Sequence, residues 1–323
     1  MKRRFSVVVA AFACAMLAGP AWAQGYPSKP VTLIVPYAPG GLPDTVARVI
    51  GQKLGEKWGQ AVVVENRPGG NGVVAAQALA ARPADGYTLM VTDGSMFSIN
   101  PFVYAKLPYD PQTDFTFISL TARAPLFLAV HPSVPVSNFP EWVALVKSKP
   151  GQLSYGSSGI GSIHHLTVES IKSSLGIDIL HVPYKGTGQS VPAVVAGQVS
   201  AVFSAFPSLA GFAKEGKLKL IAVNSEKRSS LAPDIATIAE TSIPGFDFAP
   251  TIGFSGPAGL PREVVAKVSG DVAEVLKEPA MAERLHVLGI DPVGGDSHAY
   301  LAQVNADRAR FEKAVKLAGA KAE

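Results

Sequence analysis

The chain has 323 residues, of which 47% are hydrophobic and 17% charged. This excludes a disordered or solvating polypeptide and allows about two domains, whose cores need no disulfide or metal. The net charge of +4 sits at the start: residues 1–23 hold Lys2, Arg3 and Arg4 and no acid, leaving 26 basic against 25 acidic side chains in the remainder. A protein that neutralises phosphates keeps a basic excess, so no nucleic-acid partner is expected.

Residues 1–4 are basic and residues 5–18 mostly apolar, and Ala21-Trp22-Ala23 fits small-x-small cleavage. Together they read as a signal peptide over 1–23, with an exported mature chain starting at Gln24. The apolar run falls short of the roughly 18–20 residues that span a bilayer. The only cysteine, Cys14, lies inside this segment and has no lipobox before it. A cleaved product therefore has no thiol for catalysis, zinc or disulfides. No later apolar run is long enough for a transmembrane helix.

From there the chain alternates strands and helices. Residues 31–36 are a β-branched strand, residues 38–41 a Pro/Gly loop, and Val46, Val49, Ile50, Leu54 and Trp58 have helical spacing. Strand 61–65 leads through a Gly-rich loop into an Ala-rich helix ending near 81, and strand 87–92 follows the Asp85-Gly86 turn. The βαβαβ order predicts a parallel sheet with helices on its faces. Residues 114–130 read as extended. Asn138 and Glu141 are spaced as a capping box opening a helix with Phe139, Trp142, Val143 and Val146 on one face. The rhythm then repeats: strands at 153–155, 179–182, 199–204 and 218–223 alternate with helices at 162–175, 189–196 and 208–214. The C-terminal part offers one clear strand, 251–255, a helix with Pro261 as its first residue, and a last helix over 297–317. That is too little for a third sheet. The economical arrangement returns the chain to the first lobe, giving lobe 1 as 24–125 plus 226–323 and lobe 2 as 126–225, with a cleft between.

Three Gly/Ser loops follow a strand and precede a helix: Ala38-Pro39-Gly40-Gly41, Asp93-Gly94-Ser95 and the loop 156–162. In open α/β sheets ligands sit beyond the carboxyl ends of the strands, and helix N-termini suit anions. Glycine lets the backbone approach closely, and Ser157, Ser158 and Ser162 add hydroxyls. Matching loops in both halves point to an anion held in a cleft. The nucleotide motifs fail: Gly159-Ile160-Gly161 lacks the third glycine of GxGxxG, and there is no GxxxxGK[ST]. The hydrolase elbow GxSxG fails at its last position. His165 and Glu169 share a helix face, but HExxH is absent, so no metal or other cofactor is expected. Asp44 is read either as a helix cap or as a receptor for a ligand amine or a water network, with Arg48 one turn on to pair with it. Lys185 offers a cation to a carboxylate or is solvated. Tyr37, Phe203 and Phe206 wall a cleft or lie in the core.

These loops carry a family resemblance. The stretches YPSKP at 26–30, VPYAPGG at 35–41 with Asp44 and Arg48, and VENRPGG at 64–70 resemble periplasmic receptors of tripartite tricarboxylate transporters, the Bug or TctC type. So do DGY at 85–87, YGSSGIGS at 155–162 with His165 and Leu166, HVPYKG at 181–186 and GFSGPAG at 253–259. They run in family order over nearly the whole mature chain. The resemblance implies an α/β, two-lobed periplasmic-binding-protein fold (Venus flytrap, type II-like) with two parallel-rich sheets and a central cleft. It implies a small carboxylate ligand, no catalysis, and delivery to the permease subunits of a tripartite transporter or to a sensor protein, by a monomer. In such receptors the loops matching Tyr37, Ala38, Pro39, Gly40 and Gly41 and Ser157, Ser158, Gly161 and Ser162 grip one carboxylate. Ser95, Asp44, His165, Lys185, Ser204 and Phe206 complete the expected ligand-binding set. After Val199 the family commonly places acidic residues where Ser200 and Ser204 stand here, which argues against amino-acid ligands. An exported hydrolase or isomerase and a sensory adaptor are the competing readings.

Overall fold

The computed structural model describes residues 25–321; the signal-peptide segment, Cys14 and Gln24 lie outside them. Among the described residues eleven strands form two mixed sheets, accompanied by twelve α-helices and one 3-10 turn at Gly70–Gly72.

The first sheet has the order β11-β4-β10-β3-β1-β2. Its strands are β1 (Val31–Val35), β2 (Val62–Asn66), β3 (Thr88–Thr92), β4 (Phe115–Arg123), β10 (Thr251–Pro257) and β11 (Asp291–Gly295). β1 pairs in parallel with β2 and β3, as two βαβ units require, whereas β10 runs antiparallel between β3 and β4. The second sheet, β7-β6-β8-β5-β9, repeats the design. It contains β5 (Leu126–Val130), β6 (Ser154–Ser157), β7 (Leu180–Pro183), β8 (Ala201–Ala205) and β9 (Lys219–Val223). β6 lies parallel to β7 and β8, and β5 is antiparallel to β8 and β9. The strands entering from a crossing segment are thus antiparallel, because no crossover helix precedes them.

The helices cover the faces in the order the apolar spacing dictates. α1 (Leu42–Trp58) buries Val46, Val49, Ile50 and Leu54 on one stripe. It can lie close because Gly51 has no side chain: a Cβ there would be 3.1 Å from both Leu33 and Val62. α2 (Val73–Ala80) follows, then the short α3 (Ser95–Ser98) and α4 (Asn100–Val103). The second sheet carries α5 (Phe139–Ser148), α6 (Ile163–Leu175), α7 (Thr187–Val195) and α8 (Phe206–Lys214). α9 (Ile238–Thr241), α10 (Arg262–Lys277), α11 (Pro279–Val287) and α12 (Ser297–Ala318) complete the chain. α12 packs on both β4 and α6, so it touches both sheet layers. The largest apolar cluster draws on both sheets, from Leu33, Val91 and Ile252 to Leu128, Tyr155 and Phe203.

Local readings are corrected in four places. The C-terminal part holds two strands rather than one, since β11 pairs with β4 through a Pro- and Gly-rich segment that carries no strand pattern. Pro261 is the N-cap of α10, not its first residue. Asn138 caps α5 by accepting from Glu141 N at 2.9 Å, but the Glu141 carboxylate takes the N–H of Ser137 rather than that of Asn138, so the capping box is not reciprocal. Asp44 does not cap α1 either: the N-cap is Gly41, and Asp44 is a first-turn residue.

Candidate functional site

Five strand-to-helix junctions from the two sheets converge on one inner cavity of about 40 Å³. The first sheet contributes Tyr37, Ala38, Gly41, Leu42 and Pro43 from the β1–α1 junction and Asp93 from the end of β3. The second contributes Ser158, Ser162, Ile163 and His164 between β6 and α6, Gly186 and Thr187 before α7, and Ser204, Ala205 and Ser208 around β8–α8. Leu126 and Pro250, on the two segments that cross between the sheets, close the floor. Tyr37, Ala38, Ser158 and Gly186 also line a wider mouth of about 820 Å³, bordered by Gly69–Gly72, Ile160, Tyr184, Lys185 and Gln189.

The two halves touch. Asn71 Nδ2 donates to Ile160 O at 3.5 Å, and Ser208 Oγ to Gly40 O at 3.4 Å. A Cβ built at Gly161 would lie 2.7 Å from Val103. The lobes are thus in contact beside the cavity.

The β1–α1 turn is held from behind by Asp44. Its carboxylate accepts Gly40 N at 2.9 Å and Asn66 Nδ2 at 2.9 Å, and pairs with Arg48 at 3.0 Å. Burial pushes the Asp44 carboxyl up, but the hydrogen bonds from Arg48, Gly40 and Asn66 hold it below the usual carboxylate range. Asp44 is therefore occupied by protein groups and shapes the loop 37–41. Asn66 Nδ2 also donates to Tyr37 O at 3.0 Å, tying β2 to the same turn.

The β6–α6 turn has an equivalent support. Ser162 caps α6 by accepting from His165 N, and its Oγ donates to Gly159 O at 2.7 Å. Gly161 has φ +76° and donates its N–H to His165 Nδ1 at 3.1 Å. Ser157 Oγ contacts His181 Nε2 at 2.6 Å and accepts from Gly159 N at 3.0 Å. The His165 and His181 rings stack with centroids 4.1 Å apart. Burial lowers both imidazoles to about 4, so they are neutral at physiological pH, and His165 Nδ1 is free to accept. The Ser157–His181 pair has the chemistry of a nucleophile and a base, but Ser157 is fully buried and not in the cavity lining, and its hydroxyl is spent on the loop.

Of the residues singled out from sequence, Tyr37, Ala38, Gly41, Ser158, Ser162 and Ser204 line the inner cavity. Lys185 stands at the outer mouth. Gly40, Asp44, Ser157, Gly161 and His165 sit behind the turns as described, and Pro39 belongs to the same turn without lining either space. Ser95 is buried and gives its N–H to Asp93, while Phe206 packs on Phe127 at 5.6 Å outside the cavity. Phe203 is core. His164, Thr187 and Ser208 line the cavity outside the expected set, and so does Asp93, whose loop 93–95 was singled out but for Ser95 instead. The signal was available: each lies within three residues of a strand-to-helix junction. Two lining atoms, His164 Nδ1 and Ser204 Oγ, are buried without a hydrogen-bond partner among the described residues.

This geometry, two α/β lobes closing junction loops over a shared cavity, defines the class of two-lobed solute-binding proteins. The chain belongs to the tripartite tricarboxylate transporter receptor family, whose model (TctC) matches residues 46–319. It is similar to R. palustris Rpa4515, solved with adipate: TM-score 0.88, 35% identity, 92% of this chain and 99% of that one covered. It resembles the periplasmic binding protein BugD at TM-score 0.86 and 30% identity, over 92% of this chain and all of that one. MatC from Rhodopseudomonas palustris, with bound malate, superposes with TM-score 0.81 at 31% identity, over 90% of this chain and all of that one.

Proposed function

We propose that the protein is a periplasmic receptor that captures a small carboxylate between lobe 1 (24–125 plus 226–323) and lobe 2 (126–225). It acts as a monomer and delivers the carboxylate to the permease of a tripartite transporter. The supporting observation is the pair of glycine-containing turns, 37–41 and 158–162, that face one cavity from opposite lobes, each opening a helix. Helix N-termini and free amides suit a carboxylate without a lysine or arginine. Relatives with the same architecture hold adipate and malate. The ligand drives closure by its stronger interaction with the closed state and leaves chemically unchanged.

Thermal denaturation with a panel of C3–C8 carboxylates tests this. At least one is expected to raise the Tm, and its methyl ester is expected to have no effect, since the ester cannot accept at the amides as an anion. Equal shifts from acid and ester defeat the anion grip. Conversion of the bound acid, followed by NMR during incubation, defeats the receptor reading in favour of an enzyme.

A further inference from the structure

We infer that Asp93 sets the specificity of the inner cavity and that the captured molecule is a zwitterion: its carboxylate meets the glycine-containing turns and a protonated nitrogen meets Asp93. This rests on the carboxylate-receptor reading above and deepens it.

Asp93 follows the last residue of β3 directly and lines the cavity. Tyr37 Oη donates to Oδ1 of its carboxylate at 2.9 Å and Ser95 N to the same atom at 3.0 Å, and the Ser95 hydroxyl and the Asp93 backbone N–H also lie close enough to favour the anion. Oδ2 receives no donor among the described residues. No lysine or arginine lines the inner cavity among the described residues. Arg48 is committed to Asp44, and Lys185 stands at the outer mouth. His164 is the other titratable side chain at the cavity besides Tyr37, and burial lowers it to about 4, so it brings no positive charge at neutral pH. Burial also raises the Asp93 carboxyl against the opposing pull of its hydrogen bonds, the mark of an anion short of a counter-charge.

Asp93 is half-buried in this cavity, and a carboxylate that a ligand seals from water needs a partner. A dicarboxylate sealed in this cavity would set a second anion near the first, with no cation between them. A molecule with a carboxylate at one end and an ammonium at the other satisfies both ends at once. The expectation against amino-acid ligands rested on Ser200 and Ser204. Neither bears on it now, because Ser200 is spent on the Ser154 backbone and the acid is supplied from the opposite lobe by Asp93.

Asp93→Asn isolates the effect. Asparagine keeps an oxygen to accept from Tyr37 and Ser95 and replaces the free oxygen by an uncharged NH₂. Calorimetric titration and thermal shift are run on both proteins with two sets of ligands. One set is succinate, glutarate and adipate. The other is 3-aminopropionate, 4-aminobutyrate and 5-aminopentanoate, in which an ammonium replaces one carboxylate, together with the α-amino acids. The expected result is that an amino member binds the parent protein more tightly than any dicarboxylate. Asp93→Asn then lowers that affinity by about 10-fold or more, as loss of a charge-assisted contact should. Its unliganded Tm is unchanged or higher. If the parent protein prefers a dicarboxylate, or the variant keeps the amino preference, the inference is overturned and the carboxylate receptor stands. If no carboxylate in either set binds, both are overturned.

Discussion

Gly161 joins two demands at a single residue. Its φ of +76° suits glycine, and the missing side chain is what lets Val103 of the other lobe approach. Alanine here strains the turn and meets Val103 only when the cleft is shut. Gly161→Ala is therefore expected to weaken ligand binding about 10-fold, from an overpacking cost of about 1–2 kcal/mol. The unliganded protein should lose less stability than the complex. Calorimetric titration checks this; unchanged affinity would show that the Val103 contact is not part of the bound state. The turns themselves were legible from sequence, because glycine and serine between a strand and a helix carry their own physical reason. Which side chains line the space was less so. Asp93 directly follows β3 and Asp44 lies in the first turn of α1, but neither position says what the carboxylate meets. Only the arrival of Arg48 and Asn66 at Asp44, and of Tyr37 at Asp93, separates a supporting carboxylate from a lining one.

At the scale of one element, the first turn of α6 depends on uncharged imidazoles. His164, His165 and His181 are each lowered to about 4 by burial, whereas unfolded histidines titrate near 6.5. Between these values the unfolded chain holds more protons than the folded one, so stability falls as pH drops through that window and is complete above it. One such histidine adds a slope of at most about 1.4 kcal/mol per pH unit. The raised carboxyls of Asp93 and Asp307 work in the opposite sense, so the histidine share is best isolated by substitution. Denaturant unfolding at pH 7.0 to 4.5 should show a steeper fall in the parent protein than in His164→Gln; identical slopes would sink the assignment. Most helices and strands were visible in the sequence because apolar spacing and turn residues agree. β11 was not, since Asp291, Pro292, Gly294 and Gly295 show no alternation and the strand exists only because β4 offers an edge to pair with. The short α3 and α4 were missed for a related reason: four residues are too few to show a period.

For the whole molecule, the two crossing segments are pinned to each other at a single buried side chain. Asn224 is fully buried where both crossings meet. It accepts Leu126 N at 2.7 Å on Oδ1 and donates Nδ2 to Phe248 O at 2.8 Å, and its own backbone bonds the same two residues. Asn224→Ala leaves two buried backbone groups unpaired and should cost about 2–5 kcal/mol. Thermal unfolding measures the loss, and a Tm within 1–2 °C of the parent, roughly a 0.5 kcal/mol effect, would rule out this role. The two-lobed architecture was readable from sequence because βα rhythm occurs twice, with an extended stretch between. The mixed strand directions were not, because they depend on which edge the crossing chain finds.

The C-terminal helix makes a further demand on any swinging of the halves. Because α12 rests on β4 at one side and α6 at the other, it straps them together outside the hinge. Separation must slide or lift that strap, so the aperture has a built-in stop. A narrow aperture slows escape of a solute as well as its entry, so the pace of exchange becomes a property of the tail of the chain rather than of the pocket alone.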